Sequence, residues 1–280
     1  MQPTMDDLST IGHEDVLAEA EKRTGRDFDR GRAHYSQYNG TAGFPTSAGT
    51  WVRLAWARPG AFSAQSWTGL EASVAIGGVP RPNWFAGSMW HDEGRGVVWR
   101  VDEMSLATAP ALSPTGTVDR DPDLTDAWWA DLHTALGNLA RHETSRVCVQ
   151  QGHLSKRIGE VYGDQVDTTV TEWTCAHGDV GYANLTAAPL TLLDWEDWGL
   201  APTGWDAACL WSASLPVPTL SARVLNEFAD VLNTRTGQLS RLILCANVAR
   251  AYRRTGRVGP LTGAMEAAAS ELLASLSSTP

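Results

Sequence analysis

The stretch between His177 and Asp194 carries the strongest chemical signal in the sequence. Asn184 and Asp194 flank short apolar runs with a central Ala-Ala-Pro, a pattern that predicts a tight hairpin. Such a hairpin brings its two ends together and offers one neutral and one charged oxygen, a ligand set that suits Mg²⁺. Asp179 precedes them in a glycine-containing loop, where its carboxylate can accept a proton from an attacking hydroxyl. These groups favour phosphoryl transfer.

The same residues resemble the catalytic motif of the aminoglycoside phosphotransferase family, the small-molecule branch of the protein-kinase-like fold. The matching segments are His177-Gly178-Asp179, Asn184, Asp194-Trp195-Glu196 and Gly204-Trp205-Asp206. The resemblance implies that Asp179 is the catalytic base and that Asn184 and Asp194 hold Mg²⁺. It also implies that His177 and Asp206 brace the catalytic loop, and that ATP and Mg²⁺ are the cofactors.

Composition narrows the class of protein. A chain of 280 residues with 43% hydrophobic residues can bury a substantial core. Its net charge of −10 disfavours nucleic acid as a partner and mildly favours a cationic substrate. No apolar run is long enough to cross a membrane and the first residues are acidic, so we expect a cytoplasmic protein that binds no membrane. The sequence does not predict an oligomeric state.

The first hundred residues predict a small sheet-bearing lobe. A surface helix over 14–26 precedes a strand over 51–56, in which Val52 and Leu54 alternate with polar or exposed positions. A helix over 63–76 and strands over 84–90 and 97–101 follow. This order resembles a kinase amino-terminal lobe, and the resemblance implies that Glu103 and Met104 lie in the hinge, whose backbone meets the adenine.

The rest of the chain predicts helices around the catalytic segment. Apolar residues recur at helical spacing over 125–141, 219–232, 239–253 and 261–276, and a Pro-, Thr- and Asp-rich linker covers 107–124. We therefore predict an α+β, two-lobed protein-kinase-like fold. Residues 1–104 form the sheet lobe with the nucleotide clamp, and residues 105–280 form a larger helical lobe with the catalytic loop and metal site.

Two features depart from the kinase pattern. A kinase uses a lysine on the third strand, paired with a glutamate of the next helix, to hold the phosphates. Arg53 occupies the strand position and Glu71 is its expected partner, although guanidinium and ammonium groups are not equivalent. The glycines of Tyr38-Asn39-Gly40-Thr41-Ala42-Gly43 do not match a phosphate-binding loop. Lys156 is an alternative source of positive charge, but a solvated surface position fits it better.

The reading we adopt is ATP-dependent transfer of the γ-phosphoryl group to a hydroxyl of a small molecule, of the antibiotic, sugar or amino-alcohol type. Two alternatives stay open: a pseudokinase that binds a partner without catalysis, and a kinase acting on Ser or Thr of a peptide. Neither the acceptor nor the choice between ATP and GTP follows from the sequence.

Several neighbouring residues admit a structural as well as a functional interpretation. Glu196 either contacts the metal or only solvates the loop, and Trp195, Trp198 and Trp205 either pack or line a substrate wall. The cysteines lack metal-like spacing, so buried thiols fit them better than a zinc site.

Overall fold

The computed structural model describes residues 8–9, 12–36, 40–60 and 63–278. These residues form two compact units. The sheet unit contains the described residues up to Ala75 together with Arg81–Thr108, and the helical unit contains Ile76–Pro80 and the chain from Ala109 onward. The α+β architecture predicted from the sequence is confirmed: an antiparallel sheet dominates the first unit, and helices dominate the second.

The sheet unit is built on five strands in its described part, in the order β1-β2-β3-β5-β4. Every neighbouring pair is antiparallel. Its elements are α1 (Glu14–Thr24), β1 (His34–Tyr35), β2 (Thr41–Pro45), β3 (Thr50–Ala57), α2 (Ala64–Trp67), α3 (Gly69–Ala72), β4 (Trp84–Asp92) and β5 (Val97–Ser105). In the register, Arg53 of β3 lies opposite Gly43 of β2 and Asp102 of β5.

Helix α1 covers one face of this sheet. Its apolar stripe is buried and packs in one cluster with inward-facing strand residues such as Val52, Leu54 and Trp99. The alternation that predicted the strand therefore identifies the core face correctly, because side chains of a strand point to opposite faces in turn. Arg53 lies on the other face, and its side chain is half-buried.

The helix predicted over 63–76 is broken in the structure. It forms α2, α3 and a 3-10 turn over Ser73–Ala75, with the break at Thr68. The Thr68 hydroxyl donates to the carbonyl of Ala64 at 2.9 Å, and Gly69 follows, so a weak helix former and a competing hydrogen bond coincide there. As a result Val74, which we expected on the apolar face, is 51% exposed.

The expected hinge also differs from the structure. Glu103 and Met104 lie inside β5, where Val52 and Trp51 pair with them on one side and Ala86 and Trp84 on the other. A strand with two partners uses its backbone N–H and C=O groups in the ladder, so these groups are not open to a ligand. The strand ends at Ser105, four residues beyond the end at Val101 that the apolar run predicted.

The helical unit surrounds a short two-stranded ribbon. Its elements are α4 (Asp126–Ala140), α5 (Gln151–Tyr162), β6 (Trp173–Ala176), β7 (Gly199–Pro202), α6 (Trp205–Ser214), α7 (Pro218–Glu227), α8 (Ala229–Leu232), α9 (Arg235–Thr255) and α10 (Thr262–Ser278). Thr125 caps α4 by accepting from the amide of Trp128 at 3.2 Å. None of the helices in the described ranges is long and apolar enough to span a bilayer.

Candidate active site

Asp206 anchors the loop that carries the predicted catalytic residues. The loop leaves β6 at His177, and β6 pairs with β7 just before α6 begins. The Asp206 carboxylate, in the first turn of α6, accepts from the amides of His177 at 2.7 Å and Gly178 at 2.9 Å. Carboxylates are favoured at helix starts, and here the group also satisfies two loop N–H groups. The bracing role expected for Asp206 thus has a direct geometric counterpart.

His177 links the loop to the hairpin that follows it. Its Nδ1 accepts from the amide of Asp179 at 3.3 Å, and its Nε2 lies 2.7 Å from the carbonyl oxygen of Leu193. A backbone amide can only donate and a carbonyl can only accept, so these two bonds define the Nε2–H tautomer. The ring is 1% exposed and meets Trp195 edge-on at 4.7 Å. His177 therefore positions the backbone of its neighbours and faces no open surface.

Asp179 and Asn184 form the central pair of the loop. The Asn184 amide nitrogen donates to the Asp179 carboxylate at 3.0 Å and to the Asp179 carbonyl at 2.9 Å. These two bonds fix the amide orientation, so its oxygen points away from Asp179. An amide oxygen oriented in this way is an acceptor suited to a hard cation.

The hairpin predicted between Asn184 and Asp194 is present in the structure, and Asp194 lies at its exit. Leu185 bridges Leu192, and the Leu193 amide donates to the Asn184 carbonyl at 2.8 Å. Asp194 itself adopts φ +60°, a left-handed conformation that Asp tolerates better than most residues. The exposed side chain therefore leaves the hairpin in a direction that ordinary strand geometry does not give.

The charges around the loop affect the protonation of Asp179. Desolvation raises the pKa of Asp179 above its ordinary value of 3.8, and the nearby negative charges of Asp194 and Asp197 raise this pKa further, against the opposing effects of His177 and the Asn184 bond. Burial also raises the pKa of Asp206, while His177 and the two backbone hydrogen bonds oppose this rise. Burial is the main cause of both shifts, and the carboxylates of Asp194 and Asp197 add to the rise at Asp179, a part that a bound cation would oppose.

The donor set fits Mg²⁺ better than a transition metal. Asn184 and Asp194 offer oxygen only, and no cluster of three or more His, Cys, Asp or Glu side chains suited to a metal occurs among the described residues. Mg²⁺ binds through one or two carboxylates and completes its shell with water and phosphate oxygens. Burial raises the pKa of Cys175 to about 12 and that of Cys209 well above its usual value, so both groups are protonated thiols at neutral pH.

The residues predicted to bind the nucleotide lie in the sheet unit, but Glu71 and Glu103 form hydrogen bonds that the sequence did not predict. The carboxylate of Glu71 accepts from Arg100 on β5 at 3.2 Å, a residue that the sequence analysis did not single out. Glu103 is 4% exposed and accepts from Arg26 at 2.6 Å and from the Thr50 hydroxyl at 2.8 Å. Glu103 is therefore part of an internal ion pair of the sheet unit. Of the glycine-poor loop over 38–43, residues 38 and 39 lie outside the described residues.

The tryptophans beside the site pack rather than form a wall. Trp195, Trp198 and Trp205 are at most 8% exposed, and the indole of Trp205 donates to the Gly178 carbonyl at 3.0 Å. Arg146, also missed from the sequence, stacks on Trp198 at 4.5 Å and donates to the carbonyls of Glu196 and Trp198 at 2.9 Å each. No sequence signal marks Arg146, because its partners are backbone atoms distant in the chain.

The chain has an α+β, protein-kinase-like fold, and comparison with solved structures shows which proteins share it. A thermostable mutant of aminoglycoside phosphotransferase APH(4)-Ia has a TM-score of 0.63 at 10% identity, over 94% of this chain and 100% of that one. Amicoumacin kinase hAmiN, in complex with AMP-PNP, Ca²⁺ and Ami, has a TM-score of 0.56 at 11% identity, over 94% of this chain and 96% of that one.

A third neighbour is a choline/ethanolamine kinase family protein from Mesorhizobium loti, with a TM-score of 0.51 at 13% identity over 95% of each chain. These identities are low, so the likeness concerns the fold. A search of family models found no match to the sequence, and a search of curated proteins found none either. The structural neighbours are kinases of small molecules with different acceptors, in agreement with the resemblance of the motif.

Proposed function

We propose that this protein transfers the γ-phosphoryl group of a nucleoside triphosphate, with Mg²⁺, to a hydroxyl of a small molecule. The observation that carries the proposal is the pair of hydrogen bonds from Asn184 to Asp179. They hold a carboxylate ready to accept a proton and turn an amide oxygen outward for a cation.

Asp179 acts as the base in this proposal. Its carboxylate orients the acceptor hydroxyl and takes the proton of that hydroxyl as the oxygen bonds to the γ-phosphorus. The bond from this phosphorus to the bridging oxygen breaks, and the nucleoside diphosphate leaves. A raised pKa suits this task, because it makes the carboxylate a stronger base. His177 keeps the Asp179 backbone in place through its Nδ1, and Asp206 holds the start of the loop.

Asn184 and Asp194 are the residues that would hold Mg²⁺. The ion supplies neutralisation of the phosphate charge when it is bound. The raised pKa of Asp179, to which the charge of Asp194 contributes, supports this assignment because uncompensated carboxylates repel one another. Leu193, the residue before Asp194, holds Asp194 close to Asn184. Its amide donates to the Asn184 carbonyl, and its own carbonyl accepts from His177.

Arg53 is the proposed phosphate contact of the sheet unit. It lies on the sheet face opposite to the α1 core, and its side chain is half-buried. A guanidinium group binds phosphate oxygens through a planar fork, so it replaces a lysine with different geometry and without loss of charge. We propose ATP as the donor; the GDP complexes of aminoglycoside 2'-phosphotransferase-IIIa make GTP the natural comparison.

The acceptor is proposed only as a class. Structural neighbours have been solved with hygromycin B and with kanamycin, and both are hydroxyl-bearing small molecules. The net charge of −10 adds a mild preference for a cationic acceptor. Antibiotics, sugars and amino alcohols are therefore the compounds to screen.

A melting experiment tests the nucleotide and metal part of the proposal. We expect Mg²⁺ with ATP or GTP to raise the melting temperature of the wild type, because a ligand at ~100 times its Kd adds about 2.7 kcal/mol. Asp194→Asn should lose the metal-dependent part of this shift. The matched control is Asp164→Asn, which changes an exposed carboxylate in the turn after α5 and should keep the full shift.

Turnover then separates the remaining readings. Phosphorylation of a small-molecule hydroxyl in an acceptor screen supports the proposal, whereas phosphorylation of only peptide Ser or Thr would replace the acceptor class. Absence of any nucleotide-dependent shift in the wild type would favour a pseudokinase that binds a partner.

A further inference from the structure

A buried charged network occupies the face of the sheet unit on which Arg53 lies. Arg100 is 3% exposed, and its Nε and Nη2 donate to the two carboxylate oxygens of Asp102 at 2.6 Å each. Asp102 also accepts from the indole N–H of Trp84 at 2.8 Å, and Arg100 donates to Glu71 at 3.2 Å. We call these four residues the Arg100 network.

The sheet leaves room for this network at one position. Arg100 and Asp102 are two residues apart on β5 and so share a face, and Asp102 lies opposite Gly87 of β4. A Cβ atom at Gly87 would lie 2.6 Å from the Asp102 carboxylate and 3.1 Å from Nη2 of Arg100. Only glycine fits between these groups without displacing a buried ion pair.

Glu71 differs from the other members because charge balance does not require it. Asp102 alone neutralises Arg100 with a bidentate pair, and the side chains of both are at most 4% exposed. The Glu71 side chain is 48% exposed, so water can solvate it without the network. Its bond to Arg100 therefore serves to connect α3, the short helix that carries it, to a rigid part of the sheet.

The network is also next to the proposed phosphate contact. Arg53 of β3 lies directly opposite Asp102 in the strand register, and on the same face. Directly opposite residues of an antiparallel pair have neighbouring side chains. A fixed Arg100–Asp102 pair thus borders the space in which the Arg53 side chain lies.

We propose that Arg100 is a positioning residue for the nucleotide phosphates, and that it takes over the ion pair with the helix glutamate that a β3 cation makes in protein kinases. The inference rests on the proposed function. In this arrangement the two tasks of the usual lysine are divided: Arg100 holds Glu71 and α3, and Arg53 contacts phosphate. Glu71 and Arg100 then act as one unit, while Glu71 and Arg53 contribute to nucleotide binding separately.

Double-mutant cycles on nucleotide affinity test this division, because residues that act together show non-additive effects. The Kd of Mg²⁺-ATP is measured for the wild type, Glu71→Gln, Arg100→Lys, Arg53→Gln, and the doubles Glu71→Gln/Arg100→Lys and Glu71→Gln/Arg53→Gln. We expect each single change to raise Kd about 10-fold, the size of one lost charge-assisted hydrogen bond. The Glu71/Arg100 double should be no worse than its weaker-binding single variant, and the Glu71/Arg53 double should multiply to about 100-fold.

The opposite pattern overturns the proposal. In that pattern the increases in Kd multiply in the Glu71/Arg100 double variant, and the Glu71/Arg53 double variant binds no more weakly than its weaker-binding single variant. Arg100→Lys keeps the buried charge beside Asp102, and a melt shows whether the variant folds. If it does not fold, the Glu71/Arg53 cycle decides alone, because both of its residues are outside the buried pair. A wild type that binds no nucleotide overturns the proposed function and this inference with it, whereas a wild type that binds with the opposite coupling overturns only the inference.

Discussion

The side-chain amide of Asn184 donates to both the carboxylate and the backbone carbonyl of Asp179, at 3.0 and 2.9 Å. The two residues are therefore one structural unit, although we assign them different chemical roles. A change at Asn184 releases the Asp179 carboxylate, and a change of the Asp179 side chain leaves the Asn184 amide with the backbone carbonyl bond alone.

Asp179→Ala should lower turnover by at least ~100-fold, because it removes the general base. Asp179→Asn should lose as much, since an amide keeps the shape of the side chain but accepts no proton. Both variants should still fold, which a thermal melt checks. Steady-state kinetics with a phosphorylated acceptor measures the effect, and Asp164→Asn serves as the control. Near-normal turnover in either variant would remove Asp179 from the mechanism.

Asp194 allows backbone strain and metal binding to be separated. Its φ of +60° costs a non-glycine residue about 1 kcal/mol, which glycine does not pay. Asp194→Gly should therefore melt at or above the wild-type temperature and yet lose turnover by at least ~100-fold. A variant that melts lower would show that the Asp194 side chain also stabilises the hairpin, and retained turnover would contradict its role as a metal ligand.

Removal of the Asp206 carboxylate should destabilise the helical unit. Asp206→Ala leaves the amides of His177 and Gly178 without their acceptor, at about 1–3 kcal/mol for each buried donor. Asp206→Asn keeps one acceptor oxygen and should lose roughly half as much. Urea denaturation gives both free energies of unfolding. Equal stability of the alanine variant and the wild type would mean that water replaces the carboxylate.

The raised pKa of Asp179 predicts two effects of pH. The native state holds this proton more tightly than the unfolded chain, so the free energy of unfolding falls as pH rises from the ordinary value of 3.8 through the raised one. Asp179→Asn removes this loss, and its stability relative to the wild type should increase over the same interval. Turnover requires the ionised base, so it should fall as pH drops through the pKa of Asp179 in the metal-bound enzyme. Turnover that does not fall at acidic pH would contradict the role of Asp179 as the base.

Much of the catalytic loop could be predicted from the sequence because its signals are local. The turn residues Ala187-Ala188-Pro189 predict the hairpin without knowledge of the rest of the chain. The apolar residues Val52 and Leu54, two positions apart, predict the strand in the same way. The partner of Glu71 could not be predicted in this way. Arg100 and Asp102 resemble an ordinary charged pair on a strand, and only the sheet order shows that they are buried beside Gly87.

The break at Thr68 and the extent of β5 were missed for related reasons. Periodicity predicts where a helix face points but is insensitive to a single hydroxyl that competes for a backbone carbonyl. The polar residues Asp102 and Glu103 argue against a strand interior, yet Arg100, Arg26 and Thr50 neutralise or bind them there. Buried charges that are paired within the sheet unit give the same sequence pattern as a solvent-exposed segment.

Leu193 has a consequence for how this hairpin can change. Its amide is bound to Asn184 and its carbonyl to His177, so both of its backbone groups connect neighbouring parts of the loop. The number of residues between Asn184 and Leu193 is therefore fixed by these two bonds, while the exposed side chain of Ala188 at the tip of the hairpin can be exchanged. A designer, or natural selection, can therefore change the residue at the tip of the hairpin but must keep the number of residues in it.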